Sequence, residues 1–289
     1  MVKGMGGFLV KLVMVVALML VSAICFADSR VEDIKLQYRE SEYTTVLVGD
    51  TAVPVFIKPA AIPLSRGVAL IVVDGGYYGL SLQDAKTLAT QLNLWGWDTL
   101  ISPTLLDDSP VNPATGTAPA DLPDTSIHPR SDSLPAQLNF TDSQTRLTLL
   151  MNALYNKVED KKGFRLVISQ GMTAAQLVSL GAAEKIPSPD SMVVIAPFWP
   201  QEDANKALVH EIADTNFPVL DISLPDSNRW QKQTVTTRRQ AAIVALKLHY
   251  RQRQMKVQPV PSFQTYTYEN PFVNGIGKEI YGWITYLGW

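Results

Sequence analysis

The chain has 289 residues, of which 46% are hydrophobic and 18% are charged, with a formal net charge of −2 at pH 7. This composition is that of an ordinary globular protein, and a chain of this length can bury one sizeable core, so a single domain is sufficient to account for it. The slight acidic excess and the absence of a basic patch argue against nucleic acid as a partner.

The first 27 residues differ from the rest of the chain. Lys3 and Lys11 precede an apolar run over residues 12–24, and the small residue Ala27 is followed by a polar stretch. This order is typical of a secretory signal peptide, and an apolar run of about 13 residues is short for a bilayer span of about 20. We predict cleavage after Ala27, an exported, periplasmic protein of residues 28–289 and no stable membrane span after cleavage. Retention of the segment as a membrane anchor is the alternative.

Cys25 is the only cysteine of the chain, and it lies within this segment. The bulky Ile24 precedes it, where a lipidated cysteine normally follows Gly or Ala, so lipidation is not predicted. Cleavage after Ala27 removes Cys25. The mature chain is therefore predicted to hold no disulfide, and its location is inferred from the signal peptide alone.

Two β-rich runs open the folded part of the chain. Residues 43–48 and 52–57 contain many β-branched and aromatic side chains and flank the turn Gly49-Asp50-Thr51. This pattern predicts an antiparallel hairpin.

The next elements predict the start of a parallel sheet. Residues 67–73 are apolar throughout, as expected of a strand that is covered on both faces, and they end at Asp74-Gly75-Gly76. Apolar residues at helical spacing between Leu82 and Trp95 then predict a helix that Gly96 ends. A second strand is predicted over residues 98–102.

Residues 103–139 form a long irregular segment. They hold seven of the chain's 19 prolines, many Ser, Thr and Asp residues, and no Phe, Trp or Tyr. Such a segment can be neither a helix nor a central strand. A connection of this length is usually a lid, a binding loop or a disordered stretch, so the segment is interpreted as a lid or as a surface excursion without a role of its own.

Helices and strands alternate in the rest of the chain. A helix capped by Thr141 or Asp142 precedes residues 164–178, which predict a buried strand and a helix that meet in a tight turn at Gly171. The remaining predicted elements are a strand over 192–197, a helix over 204–212, a strand over 217–223, a basic helix over 236–255, a strand over 263–268 and a closing helix over 276–287.

This order of elements resembles the α/β-hydrolase superfamily over residues 40–289. The resemblance implies a single α/β domain with a mostly parallel central sheet, an N-terminal antiparallel hairpin and helices on both faces. The signal peptide, Gly171, the loop over 103–139 and the strand over 218–222 are similar to an uncharacterised group of exported bacterial proteins, the domain of unknown function 3530. Such a resemblance implies a fold and says very little about a reaction.

Active members of the superfamily carry a nucleophile at a strained strand-to-helix turn, followed in the chain by an acid and then by a His base. Gly171 matches the nucleophile position and has no side chain that could attack. Asp226 matches the acid, although an Asp in a Pro/Asn/Ser loop is also a common turn residue. Asn270 stands in the region of the His and cannot accept a proton at neutral pH, so no catalytic residue is predicted.

The superfamily binds an oxyanion with the backbone N–H after the nucleophile and another from the loop after the third strand. Met172 and the turn that begins Asp74-Gly75-Gly76 match these positions. A facing Asp74 carboxylate would oppose an oxyanion, because two like charges about 4 Å apart repel by about 4 kcal/mol at an effective dielectric constant near 20. Four aromatic residues follow strand ends and are interpreted either as a pocket rim or as packing residues: Tyr77, Tyr78, Phe198 and Trp199.

Other chemistry finds little support in the sequence. Ser169 and Thr173 lie two residues from the tip of the turn, where their hydroxyls are expected to point into backbone packing. His210 and His249 occupy no triad position and are interpreted as packed or solvated. The Asp residues of 103–139 lack the spacing of a calcium loop, and the histidines form no zinc motif, so no cofactor or metal is predicted.

Three functional hypotheses remain. The sequence favours an exported, non-catalytic protein that binds a small molecule or an envelope protein at the former pocket. A hydrolase of esters or lipid-like substrates with a rearranged active site is the alternative. The third hypothesis is a scaffold that docks an envelope protein through basic residues of the helix over 236–255, namely Arg238, Arg239, Lys247, Arg251 and Arg253.

Overall fold

The structure is a computed structural model and describes residues 29–74, 78–105, 140–224, 228–255 and 271–289. The strands are β1 (Thr44–Val48), β2 (Thr51–Lys58), β3 (Gly67–Val73), β4 (Trp97–Pro103), β5 (Phe164–Gln170), β6 (Ser191–Ile195), β7 (Val219–Ser223) and β8 (Tyr250–Gln254). The helices are α1 (Ser29–Gln37), α2 (Leu82–Leu94), α3 (Phe140–Lys157), α4 (Gly171–Ala182), α5 (Glu202–Asp214), α6 (Arg229–Val244) and α7 (Pro271–Tyr286), and Glu40–Glu42 form a 3-10 turn.

The strands within these ranges form one sheet in the order β1-β2-β4-β3-β5-β6-β7-β8. Strand β2 pairs antiparallel with both β1 and β4. The six strands β4, β3, β5, β6, β7 and β8 run parallel to one another. A mostly parallel sheet with an N-terminal antiparallel hairpin confirms the predicted fold class.

Two cores cover the two faces of the sheet. Successive side chains of a strand point to opposite faces. Val167 of β5 therefore belongs to the core that includes α3, α4 and α5, whereas its neighbours Leu166 and Ile168 belong to the core that includes α2 and α7. Strand β3 is buried along its whole length, which accounts for its unbroken apolar sequence.

A buried polar network joins β7, β8 and α6. Arg238 and Asp221 are fully buried and form a two-point ion pair, with Nε 2.9 Å from Oδ2 and Nη2 3.1 Å from Oδ1. Tyr250 and Gln252 donate further hydrogen bonds to Oδ2, at 2.7 and 3.0 Å. The network holds Arg238 in the interior, so the hypothesis that this residue belongs to a basic docking face is wrong.

The helix predicted over 236–255 is present, but its predicted range is wrong, because α6 begins at Arg229 and ends at Val244. Leu246 adopts a left-handed conformation with φ 54°, and the N–H groups of Leu246 and Lys247 bond to carbonyl groups of the last helical turn, which closes the helix. Strand β8 follows. It is the last strand of the sheet order and is polar and partly exposed, so it lacks the apolar run that indicates an inner strand.

Three further segments bear on the predicted boundaries. Helix α1 was not predicted. Pro103 is the last residue of β4, so the irregular segment begins one residue later than predicted. Residues 106–139 and the predicted strand over 263–268 lie outside the described residues.

A half-buried carboxyl between α4 and α5 gives the first testable prediction. Burial raises the pKa of Glu211, and a hydrogen bond from the Ser179 hydroxyl opposes part of this rise. A carboxyl whose pKa is raised by folding contributes stability that is fully present below its unfolded pKa of about 4.3 and is lost as the pH rises through its folded pKa. The Glu211→Gln protein, which can still accept the Ser179 hydrogen bond, is expected to match the wild type at pH 4 and to exceed its Tm at pH 7.

Thermal unfolding between pH 4 and pH 8 measures this difference. Glu202→Gln on the exposed start of α5 is the control, because the hydrogen bond from Lys206 lowers the pKa of Glu202 and the expected sign is therefore opposite. A Tm difference for Glu211→Gln that does not change with pH would contradict the prediction.

Candidate functional site

The candidate site lies where β3, β4 and β5 end. In open α/β sheets, ligands bind in the crevice outside the carboxyl ends of the strands. At this edge β3 continues into Asp74, β4 into Thr104, and β5 directly into α4 through Gly171.

Gly171 stands at the junction of β5 and α4 with φ 68°, in the left-handed region. A Cβ atom on Gly171 would lie 2.6 Å from the carbonyl oxygen of Tyr78, a separation that real Cβ atoms do not tolerate. The side-chain amide of Gln170 donates a 3.0 Å hydrogen bond to the same carbonyl. The space that a nucleophilic side chain would need is thus filled by the backbone of residue 78.

Asp74 brings a negative charge to the start of α4. It is 7% exposed, and the hydroxyl of Thr173 in the first turn of α4 donates to its Oδ2 at 3.3 Å. The positive end of a helix dipole favours an anion at this place. A carboxylate of the protein itself thus lies at the amino end of α4, beside the Thr173 hydroxyl.

The two hydroxyls beside the turn are buried and hydrogen-bonded. Ser169 Oγ donates to the carbonyl of Val72 at 3.0 Å, inside the sheet, and Ser169 is 1% exposed. Thr173 has no exposed surface. Neither hydroxyl is placed to reach a substrate.

The predicted aromatic rim divides into surface and core. Tyr78 is exposed, and its ring makes an edge contact with Phe198 at a centroid distance of 5.7 Å. Trp199 is buried, packs its ring against Phe140 at 4.8 Å and donates its backbone N–H to the side chain of Asn205. Trp199 is therefore a core residue rather than a rim residue.

The remaining predicted positions fall into two groups. Met172 packs its side chain against the core that includes α4. Five predicted site residues lie outside the described residues: Gly75, Gly76, Tyr77, Asp226 and Asn270.

The two described histidines stand away from this edge. His210 is exposed on α5, and His249 is exposed directly before β8, at the opposite end of the parallel strands. Within residues 29–74, 78–105, 140–224, 228–255 and 271–289, no group of three or more His, Cys, Asp or Glu side chains could hold a metal ion. None of the helices in these ranges has the length and apolar character required to cross a bilayer.

A cavity of about 250 Å³ opens at this edge beneath α1. Its buried end is formed by Asp74 and by Thr104, which is 1% exposed and whose hydroxyl has no hydrogen-bond partner. The lining residues are Asp33, Ile34, Gln37, Val73, Asp74, Leu82, Pro103 and Thr104. Buried polar groups are nearly always hydrogen-bonded, so Thr104 marks a place where a ligand or a water molecule can bind.

The sequence reasoning missed this cavity because it missed α1. The signal was present in the spacing of Val31 and Ile34 on α1 and of Tyr38 directly after it, which lie three and four residues apart and all pack against the protein. Thr104 carried no sequence signal, because its missing partner is a property of the packed structure.

Comparisons of the sequence with known proteins identify a family but no curated relative. A family model described as "Protein of unknown function (DUF3530)" matches residues 27–265. A search of curated proteins finds none that matches the sequence.

Solved structures of hydrolases share the architecture at low sequence identity. A sugar hydrolase from Lactococcus lactis superposes with a TM-score of 0.55 at 12% identity, over 85% of this chain and 99% of the other. An esterase domain from Rhodothermus marinus superposes with a TM-score of 0.51 at 10% identity, over 83% of this chain and 96% of the other. At such identities the likeness establishes an α/β-hydrolase-like fold and no activity.

Proposed function

We propose that this chain, which belongs to the DUF3530 family of proteins of unknown function, is an exported α/β-hydrolase-like protein that binds a small molecule without hydrolysing it. One observation carries the proposal. The carbonyl of Tyr78 fills the position from which a nucleophile would attack, 2.6 Å from where a Cβ of residue 171 would stand. This close approach supports the proposal that no covalent step takes place at the usual position in this fold.

The cavity beneath α1 is the proposed binding site. Asp74 and Thr104 line its buried end, and Asp33 on the exposed side of α1 adds a second carboxylate. Carboxylates accept hydrogen bonds, and Ile34 and Leu82 contribute apolar wall. The site suits a ligand that carries hydroxyl or ammonium groups on a short apolar body. Its volume lies below the range of about 300–1,000 Å³ that is typical of ligand pockets, which favours a small ligand.

The exported location is part of the same proposal. It is supported by the charged, apolar and small-residue order of residues 1–27, with cleavage after Ala27. A protein of the bacterial periplasm would meet small envelope metabolites and envelope proteins at this site.

A hydrolase with a rearranged site remains the competing function, because the fold is shared with esterases and Asp74 contacts a hydroxyl, that of Thr173. Chromogenic esters of short to long acyl chains, offered to the 28–289 protein, test it. We expect no turnover above background for the wild type, Ser169→Ala or Thr173→Ala. Turnover that one of these substitutions abolishes would overturn the non-catalytic proposal.

The Thr104 hydroxyl gives a sharper test of the binding site. Thr104→Val removes a buried hydroxyl that has no partner, so we expect the free energy of unfolding of the ligand-free protein to rise by up to about 1 kcal/mol. The same substitution is expected to weaken binding of a hydroxylated or cationic ligand about tenfold, since about 1.4 kcal/mol of hydrogen bonding is lost. Urea unfolding measures the first effect, and titration with ligands from a library of amino alcohols and polyols measures the second.

Thr99→Val is the matched control on β4. Thr99 is also 1% exposed, but its hydroxyl accepts from Asn93 at 3.1 Å and donates to the carbonyl of Lys58 at 3.4 Å. We expect this substitution to cost about 1–2 kcal/mol of unfolding free energy. If Thr104→Val were as destabilising as Thr99→Val, the hydroxyl of Thr104 would have a hydrogen-bond partner within the protein. It would then no longer support a binding site in the cavity.

A further inference from the structure

A short segment at the end of α6 exposes an unusual concentration of apolar side chains. Ile243, Val244, Leu246 and Leu248, named here the apolar tip, are 61%, 83%, 88% and 81% exposed. Four of the 15 large hydrophobic side chains that are exposed in the described part of the chain thus fall within six residues. Single exposed apolar residues are ordinary, whereas a contiguous group marks an interaction surface.

The apolar tip is held in place by hydrogen bonds. The N–H of Leu246 bonds to the carbonyl of Ile243 at 3.0 Å, and the N–H of Lys247 bonds to that of Ala242 at 2.9 Å. The ammonium group of Lys247 bonds to the carbonyl of Thr215 at the end of α5. Leu246 holds φ 54° at the position where helices usually place glycine. A rigid turn thus presents a leucine to solvent at a conformational cost that glycine would avoid.

The segment that carries the apolar tip is rich in cations. Residues 228–255 contain no Asp or Glu, and apart from the buried Arg238 they carry six cationic side chains: Arg229 and Lys232 at the far end of α6, and Arg239, Lys247, Arg251 and Arg253 nearer to the tip in the chain. Arg253 pairs with Glu279 at 3.2 Å. Burial lowers the pKa of Lys247, and the nearby Asp214 carboxylate opposes part of this shift.

Two cations beside the apolar tip have no carboxylate partner among the described residues. Arg239 lies one helical turn before Ile243, on the same face of α6. Arg251 stacks its guanidinium over the half-exposed ring of Tyr286, 4.2 Å from its centroid. The surface therefore combines apolar side chains, arginines and an interfacial tyrosine.

We infer that this surface docks the protein on an anionic lipid bilayer. Apolar side chains enter the boundary between headgroups and acyl chains, arginines attract anionic headgroups, and tyrosine is enriched at that boundary. A two-fold dimer through the same patch would bring Arg239 and Arg251 toward their own copies, which disfavours a second copy of the chain as the occupant. The inference stands independently of the proposed ligand site.

The orientation that follows leaves the cavity free. The apolar tip directly precedes β8, and the carbonyl of His249 accepts the N–H of Val219 at the start of β7. This is the amino end of the parallel strands, whereas the cavity lies at their carboxyl end. A protein docked through the apolar tip turns its cavity away from the bilayer.

Vesicle co-sedimentation of the 28–289 protein, which contains every described element, tests the inference. We expect binding to phosphatidylcholine vesicles that include phosphatidylglycerol and little binding to pure phosphatidylcholine. Leu246→Asn combined with Leu248→Asn is expected to weaken binding by at least about tenfold. Arg239→Gln and Arg251→Gln are each expected to weaken it about fivefold and to reduce its dependence on salt.

Leu64→Asn is the matched control, since Leu64 is as exposed as Leu248 but precedes β3, which is four strands away from β8 in the sheet. All substituted side chains are at least partly exposed, and unchanged Tm values verify the fold. Binding that the tip substitutions leave intact, or that Leu64→Asn weakens equally, overturns the inference. Sedimentation that reveals a dimer which the tip substitutions dissociate, without any effect on vesicle binding, overturns it in favour of a second copy.

Discussion

Gly171→Ser is expected to yield a protein that hydrolyses no ester and is less stable by about 3 kcal/mol. Two terms make up the loss. A side chain in the left-handed region costs about 1–2 kcal/mol, and the Cβ would overlap the Tyr78 carbonyl, so the turn that contains Tyr78 must shift. Urea unfolding measures the stability and the chromogenic ester panel measures the activity.

Gly49→Ser separates the two terms. Gly49 lies in the hairpin turn with φ 57°, and a Cβ there would meet no atom within 4 Å. Its substitution should therefore show the conformational cost alone, about 1–2 kcal/mol. If Gly171→Ser were no worse than Gly49→Ser and gained esterase activity, the nucleophile position would be open and the competing hydrolase function would stand.

The second large effect concerns the buried pair of Asp221 and Arg238. Arg238→Met is expected to lower the free energy of unfolding by about 3–5 kcal/mol, because it leaves the Asp221 carboxylate buried without its cation. Tyr250 cannot neutralise the Asp221 carboxylate by transferring its proton to it, because burial and the neighbouring Asp221 both raise the pKa of the Tyr250 hydroxyl.

A double-mutant cycle with Asp221→Asn and equilibrium urea unfolding checks the prediction. The double variant is expected to be more stable than Arg238→Met alone, since no unpaired charge remains buried. Lys206→Met is the control, because its pair with Glu202 at 2.6 Å is exposed and screened by solvent, so we expect little loss of stability. If Arg238→Met and Lys206→Met lowered the free energy of unfolding equally, the prediction for the buried ion pair would be wrong.

The sequence predicted the sheet well because buried parallel strands are continuously apolar. Gly67–Val73 and the run that ends at Gly171 could be recognised on that basis, and the structure has both as strands at the centre of the sheet. Strand β8 escaped recognition because its side chains are polar and partly exposed, so its sequence is as compatible with a helix as with a strand. The end of α6 was missed because the left-handed position that closes a helix is usually a glycine, and here it is Leu246.

The candidate site was predictable in part. The absence of a side chain at Gly171 is visible in the sequence, and so is the carboxylate at Asp74. The carbonyl of Tyr78 that fills the space above Gly171, and the hydrogen bond between Asp74 and Thr173 at the start of α4, depend on how residues 74–78 pack against residues 170–173. No local sequence pattern predicts this packing, because the two segments lie about 90 residues apart in the chain.

The polar character of β8 affects how readily these molecules aggregate through the edge of the sheet. A strand at the end of a sheet offers unpaired backbone groups to any other chain, and such edges seed intermolecular aggregation. Arg251 and Arg253 on β8 would meet like charges if a second chain added to this edge in the same way. The arginines that hid the strand from sequence analysis thus help to keep a concentrated population of these molecules from assembling into fibres.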